Sequence, residues 1–321
     1  MTVRPFLAPG LAVLALLASA PARAEPPEKH VVAVRERWKA GDVFTRTGDE
    51  SETLKIKVLA EGQVVSDKTQ ERQVTYNSVG KIVEADEAGH ATKTILYFVA
   101  WSQAGRGAQD GSLSGVIVEV AGRGKARTSR ILSPDAKVTD AARRWLDDRF
   151  GQQKGGAEPE EKDPEDLLEP PQPLAVGETW APDAARIAKT LSARLPLVVD
   201  KVTVEARLEG VADGVASVRF QMRLPLRGLQ TGEGSPLLAW KEGGVLDVTV
   251  HSARSTSSGF EGTQVRESKL EGVADAQGAD VDFDMVSRTE VVVKAGGTLP
   301  ALPEAPAAPA APEVPKAPPA K

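Results

Sequence analysis

The chain has 321 residues, 41% of them hydrophobic and 26% charged, with a formal net charge of -5 and no cysteine. That composition excludes disulfides, thiolate metal sites, a thiol nucleophile and the lipidated cysteine of a bacterial lipoprotein, and its mild acidity offers no basic face for nucleic acid or anionic lipid. Stability has to come from an ordinary core, which a chain of this length can bury as one large unit or two modest ones.

Residues 1–24 read as a secretory signal peptide. Arg4 precedes an apolar run from Phe6 to Ala20, broken only by Pro9, Gly10 and Ser19, and Ala22-Arg23-Ala24 puts small residues where a signal peptidase cuts. The run is shorter than the about 20 apolar residues a bilayer span needs. The expectation is export to the periplasm or the extracellular space after cleavage near Ala24, with no transmembrane segment in the mature chain. Loss of Arg4 and Arg23 leaves 38 basic against 45 acidic residues, a charge of -7.

Residues 25–150 form a first β-rich lobe. Leu54, Ile56 and Val58 alternate with Lys55 and Lys57, and Val74-Thr75-Tyr76 repeats the pattern, as half-buried strands do. Ile95 to Trp101 and Val116 to Val120 are continuous apolar runs and predict more central strands, with Gly122-Arg123-Gly124 turning into Lys125 to Leu132. A helix then runs from Asp140, capped by Thr139 and stopped at Gly151, with Ala142, Leu146 and Phe150 on one stripe.

Residues 151–173 carry seven acids against two lysines and little apolar beyond Leu167 and Leu168, the composition of a solvated linker. The second β-rich lobe, 174–297, opens with a helix over Asp183 to Leu195 that Pro196 stops. Alternating strands follow at Val202 to Leu208, Ala216 to Leu224, Leu246 to Val250 and Val281 to Met285. Leu208-Glu-Gly-Val-Ala-Asp-Gly and Leu270-Glu-Gly-Val-Ala-Asp-Ala-Gln-Gly predict two similar hairpins of a meander. The tail, 298–321, has proline at every third position from 300 to 318, the period of a polyproline II rod. The predicted fold class is mainly β, a β-rich α+β chain of antiparallel twisted sheets or half-barrels with two short helices and one covered face. The pattern does not decide whether the lobes share one sheet or stand as two domains.

No constellation of chemistry emerges, so no catalytic, cofactor or metal residues are assigned. His30, His90 and His251 lie far apart without a base or ligand partner at motif spacing. Gly122-Arg-Gly-Lys125 lacks the Ser or Thr of a phosphate loop, Ala126 standing in its place. Asp280, Asp282 and Asp284 have the spacing that opens a calcium loop, but Met285 and Val291 occupy the positions of its glycine and bidentate glutamate, and on a strand the three acids simply line one wet face. The basic residues from Arg123 to Arg130 read as a solvated hairpin. Trp38, Trp101, Trp145, Trp180 and Trp240 read as core anchors.

Val176-Gly-Glu-Thr-Trp180 and Trp38-Lys-Ala-Gly-Asp42 resemble the Gly-acid-Trp openings of exported bacterial β-rich proteins of uncharacterised function. In pattern these are distantly similar to the periplasmic half-barrel carriers of lipoproteins or lipids, which implies a curved sheet with a helical plug. Two expectations follow. One is a non-catalytic envelope protein, a binding or interaction scaffold that meets an envelope protein or the cell wall through its proline-rich tail. The alternative is a periplasmic carrier holding a lipid or other apolar ligand in a curved-sheet cavity. Neither expectation involves a cofactor, and neither involves nucleic acid.

Overall fold

The computed structural model describes residues 27–105, 108–123, 126–150, 166–192, 195–229 and 237–301. The expected signal peptide, residues 151–165 of the acidic segment and the tail beyond 301 lie outside the described residues, as do Gly124 and Lys125 in the predicted basic hairpin.

The first half of the chain supplies β1 (Lys29–His30), β2 (Val43–Ala60), β3 (Gln63–Ala85), β4 (Ala91–Gly105), β5 (Ala108–Asp110), β6 (Ile117–Ala121), β7 (Thr128–Ile131) and α1 (Asp140–Phe150). The second supplies β8 (Leu174–Ala175), β9 (Thr179–Trp180), α2 (Ala184–Ser192), β10 (Thr203–Ala212), β11 (Val215–Pro225), β12 (Gly228–Leu229), β13 (Leu238–Ser255), β14 (Gly262–Ala276) and β15 (Ala279–Ala295). The protein is mainly β and antiparallel throughout, as the alternation predicts. Thr139 Oγ1 accepts from the Ala142 amide at 3.2 Å and Asp183 Oδ1 from the Arg186 amide at 3.0 Å, so each helix starts on a side-chain cap.

Three two-residue turns set the long registers. Glu61-Gly62, Asp213-Gly214 and Gln277-Gly278 all have positive φ at both positions, the conformation that matches the twist of the flanking strands. The last two sit in the repeated Leu-Glu-Gly-Val-Ala-Asp segments, which are therefore two like hairpins. Neither β2 nor β3 contains a proline, and their ladder runs from Val43↔Lys81 to Ala60↔Gln63 with a single register shift between Val58 and Leu59, beside the turn.

One ladder joins the two halves of the chain. β15 pairs with β2 over its whole length, from Ala279↔Ala60 to Ala295↔Phe44. The strand order β7-β6-β4-β3-β2-β15-β14-β13-β11-β10-β9 is thus one continuous sheet whose ends do not meet, an open sheet and not a closed barrel. Directly opposed residues share a face. The series Glu50↔Thr289, Thr289↔Arg266, Arg266↔Val250 and Val250↔Phe220 therefore carries a single face from the first half into the second. Trp145 of α1 packs on this face against Tyr76, Phe98 and Trp101, and Ile187 and Ala188 of α2 pack in a cluster with Phe220 and Val248.

Two apolar clusters fill this covered face. One is aromatic and lies in the first half around Phe44, Phe98, Trp101 and Trp145. The other is mostly aliphatic and lies in the second around Leu208, Val218, Phe220 and Val248. Trp38, Trp101, Trp145 and Trp180 are buried, and Trp240 is packed against the aliphatic cluster, as expected of core anchors. Residues 31–38 run between the clusters as a strap, with Val32 and Val34 in the aliphatic cluster and Trp38 stacked on Phe260 in the aromatic one. Residues 166–170, predicted as part of a solvated linker, are partly or wholly buried instead, while 171–173 are exposed as predicted. Leu167 is buried in the aliphatic cluster, because the strap and Trp180 present it with apolar surface that composition alone does not reveal.

Glycine makes room where rings lie flat on the sheet. A β-carbon on Gly80 would stand 2.2 Å from the Phe44 ring, and one on Gly48 would stand 2.2 Å from the Tyr76 ring, each glycine facing its ring directly across the β2–β3 ladder. The Gly80→Ala variant is expected to lose about 1–3 kcal/mol by overpacking. Its urea midpoint should fall with an unchanged slope, and replacing Phe44 by Leu in the same chain should recover part of that loss.

Candidate functional site

The three histidines meet different surroundings. His30 lies in the short β1–β8 ribbon and His251 is exposed on β13, 3.6 Å from Glu209. His90 is the half-buried centre of an ion cluster. Its Nδ1 lies 2.9 Å from Asp86, its Nε2 lies 2.6 Å from Arg35 Nη1 and 3.4 Å from Asp166, and Arg35 Nε reaches Asp166 at 3.0 Å. Arg123 closes the cluster on Asp86 at 2.6 Å, and Arg37 reaches Glu169 at 3.2 Å. Burial works against the Asp86 charge, but the amide and ring of His90 and the Arg123 guanidinium outweigh it and hold the carboxyl below its usual range. Asp86 and His90 stand four residues apart in one turn, a pairing that sequence reasoning missed. Arg35 and Asp166 come from far along the chain, and only the fold brings them in.

This cluster fastens the strap and residues 166–169 to the turn before β4. Beside it, an open groove of about 850 Å³ runs between the strap, the 85–89 turn and the 256–259 turn, with Val31, Arg37 and Asp86 on its walls. Asp280, Asp282 and Asp284 alternate along β15 on the face opposite Val281 and Phe283, with Lys241 on Asp280 and Lys55 near Asp284. Among the described residues, no three His, Asp or Glu side chains converge as a metal site requires.

A second charged group lies under the strap. Glu36 accepts from Arg46 at 2.7 Å and stands 3.5 Å from Arg254, whose side chain is only 8% exposed. Burial opposes the Glu36 charge, yet the two guanidinium groups more than offset it, so the carboxyl titrates below its ordinary value. Arg46 is on β2 and Arg254 on β13, so one carboxylate from the strap ties both sides of the β15–β14 pair.

Between the clusters, the covered face carries a polar belt that sequence reasoning missed. Alternation along β2 puts Glu50 and Glu52 on the same face as Leu54, Ile56 and Val58. The register then sets Arg72 and Ser287 beside Glu52, Thr289 beside Glu50, and Ser268 beside Ser287. Glu50 takes Arg149 at 2.9 Å and the Trp145 indole N–H at 3.2 Å. Of eleven buried side-chain polar atoms that find no hydrogen-bond partner among the described residues, Arg72 Nε, Gln103 Oε1, Ser252 Oγ and Ser268 Oγ lie on or beside this belt. Buried polar atoms are nearly always bonded, so these four are a feature to be explained. A slot of about 180 Å³ opens here, lined by Glu50, Glu52, Arg72, Arg266, Ser287 and Thr289 among others. It shares Ser51, Glu52 and Arg72 with a groove of about 670 Å³ beside the end of β4. On its other side Leu54, Ile56 and Met285 are only half-buried.

No protein-family description and no curated protein matches the chain. Among solved structures it is similar to lipovitellin, with a TM-score of 0.35 and 8% identity over 83% of this chain. The match spans 26% of lipovitellin, so the chain covers only about a quarter of that protein's length. It is also similar to OpdQ of Pseudomonas aeruginosa, at a TM-score of 0.18 and 6% identity over 79% of this chain and 97% of that one. A third is the outer membrane protein OprG of Pseudomonas aeruginosa, at 0.12 and 7% over 81% and 99%. All three scores fall below the range of a shared fold, so function is argued from the residues. No helix among the described residues is long and apolar enough to cross a membrane.

Two outcomes check this account of the charged groups. Glu36→Gln strands the buried Arg254 and is expected to cost roughly 2–3 kcal/mol, somewhat under a fully buried pair because Glu36 keeps 22% of its side chain exposed. A carboxyl with a lowered folded pKa contributes stability that is complete above its ordinary value, near pH 4.5, and lost as pH falls through the folded value. Melting curves from pH 7 to 3 should therefore show a shallower acid loss in the Gln variant than in the parent. Separately, Arg35→Gln should free residues 166–169, read as faster amide exchange there with little change in the β2–β3 ladder.

Proposed function

We propose that the protein is an exported, non-catalytic binding protein that holds an amphipathic molecule on the covered face of its sheet. The observation that carries this reading is the strip where half-buried Leu54, Ile56 and Met285 border buried polar atoms that no protein group satisfies. An apolar chain laid along the first would be removed from water, and a polar end would meet the second.

The completeness of the two clusters favours a second reading. With Phe98, Leu208 and Val118 wholly buried, neither cluster's centre leaves space for a whole acyl chain, and a scaffold would instead meet an envelope partner through the proline-rich tail. Native mass spectrometry of the mature protein, purified from its own envelope without detergent and followed by lipid extraction, separates the two. A stoichiometric co-purifying amphiphile that Ile56→Asp abolishes is the expected result. A clean apo mass, with envelope binding that persists until the tail from Thr298 is deleted, would instead leave the scaffold reading.

A further inference from the structure

The geometry points to an oxyanion, a phosphate or carboxylate, as the group the slot between the two clusters receives, held between Arg72 and Arg266. This rests on the amphipathic-ligand reading above and names the chemistry of the ligand's polar end. Arg72 and Arg266 both line the slot, one from β3 and the other from β14. Three strand spacings separate them, about 14 Å, which two extended arginine side chains can bridge from either side. Between their strands lie Glu52 and the hydroxyl groups of Ser287 and Thr289, which can donate to an anion.

The charges of the slot decide its preference. Arg149 and Glu50 are paired at 2.9 Å and neutralise each other. What remains is Arg72 and Arg266 against Glu52, and none of the three makes an ion pair among the described residues. Arg72 Nε is buried without an acceptor. Arg266 is exposed to the slot and open to a ligand, yet surrounding protein, and then the charge of Arg149, push its guanidinium below its ordinary value. An anion would supply the acceptors that both guanidinium groups lack and relieve the repulsion between Arg266 and Arg149. Glu52 then limits the site to an anion seated toward the arginines, and offers an acceptor to any ammonium that accompanies it.

The test is calorimetric titration of the full mature chain with three probes: monododecyl phosphate below its micelle concentration, dodecyl maltoside, and inorganic phosphate. Dodecyl phosphate is expected to bind one to one, with the maltoside at least tenfold weaker. Arg266→Gln and Arg72→Gln should each weaken dodecyl phosphate on the order of tenfold, the value of one charged hydrogen bond. Arg266→Lys should restore part of the affinity, and unchanged melting temperatures would show that the variants fold. Inorganic phosphate that binds and is lost in the Gln variants, while dodecyl phosphate gains nothing from its chain, would support the oxyanion site and overturn the amphipathic reading. Equal binding of both detergents, unmoved by the Gln variants, would overturn the oxyanion and leave the amphipathic reading standing. Binding of none of the three would overturn both.

Discussion

Pairing between β2 and β15 is the constraint on which the rest of this structure depends. These strands begin more than two hundred residues apart, yet they share an unbroken ladder, and a slip of one residue would turn every side chain of one half to the wrong face. Because the register holds, α1 and α2 lie on the same face and two clusters built by different halves become neighbours. The Glu36 clasp depends on it as well. Arg46 and Arg254 lie on either side of the β15–β14 pair, so one strap carboxylate can reach both only when the seam is in register.

The same seam creates the polar belt. The aromatic cluster draws mostly on the first half and the aliphatic one mostly on the second, and where they would merge the face carries Glu50, Glu52, Arg72, Ser268, Ser287 and Arg266 instead of Leu or Val. A purely structural seam would do better with apolar side chains, since buried charges and unpartnered hydroxyl groups cost free energy that aliphatic packing does not. Retaining them across four neighbouring strands is the kind of expense a binding surface incurs, and the half-buried aliphatics beside them give that surface its second chemistry. The groove beside the strap is bordered instead by Asp86, His90, Arg35 and Asp166, which form ion pairs with one another.

Local pattern carried much of the fold. Alternation at Leu54 to Val58, Val202 to Leu208 and Val281 to Met285 correctly marked strands with one wet face. Thr139 and Pro196 marked the start of one helix and the stop beyond the other, and the paired Leu-Glu-Gly-Val-Ala-Asp segments marked two like hairpins. What was not legible was long-range. Nothing local says that Phe44 meets Ala295, so the lobes could not be read as one sheet. Leu167 looked like a solitary apolar residue in an acidic segment because its neighbours, Trp180 and the strap, are distant in sequence. The belt escaped for the same reason. Glu50, Glu52, Arg72 and Arg266 each look like ordinary charged positions on amphipathic strands, and only the register shows that they face inward together. His90 was read as lacking a partner because Arg35 and Asp166, two of its partners, come from distant segments.

The most direct test of the account is to follow the arginine side-chain N–H signals of isotope-labelled mature protein by nuclear magnetic resonance while dodecyl phosphate is added. The account predicts that the Arg72 and Arg266 signals move together and saturate at one equivalent, while Arg123 and Arg35 at the strap stay still. Movement confined to the strap arginines, or spread evenly over exposed ones such as Arg130, would contradict a ligand site on the belt between the two clusters.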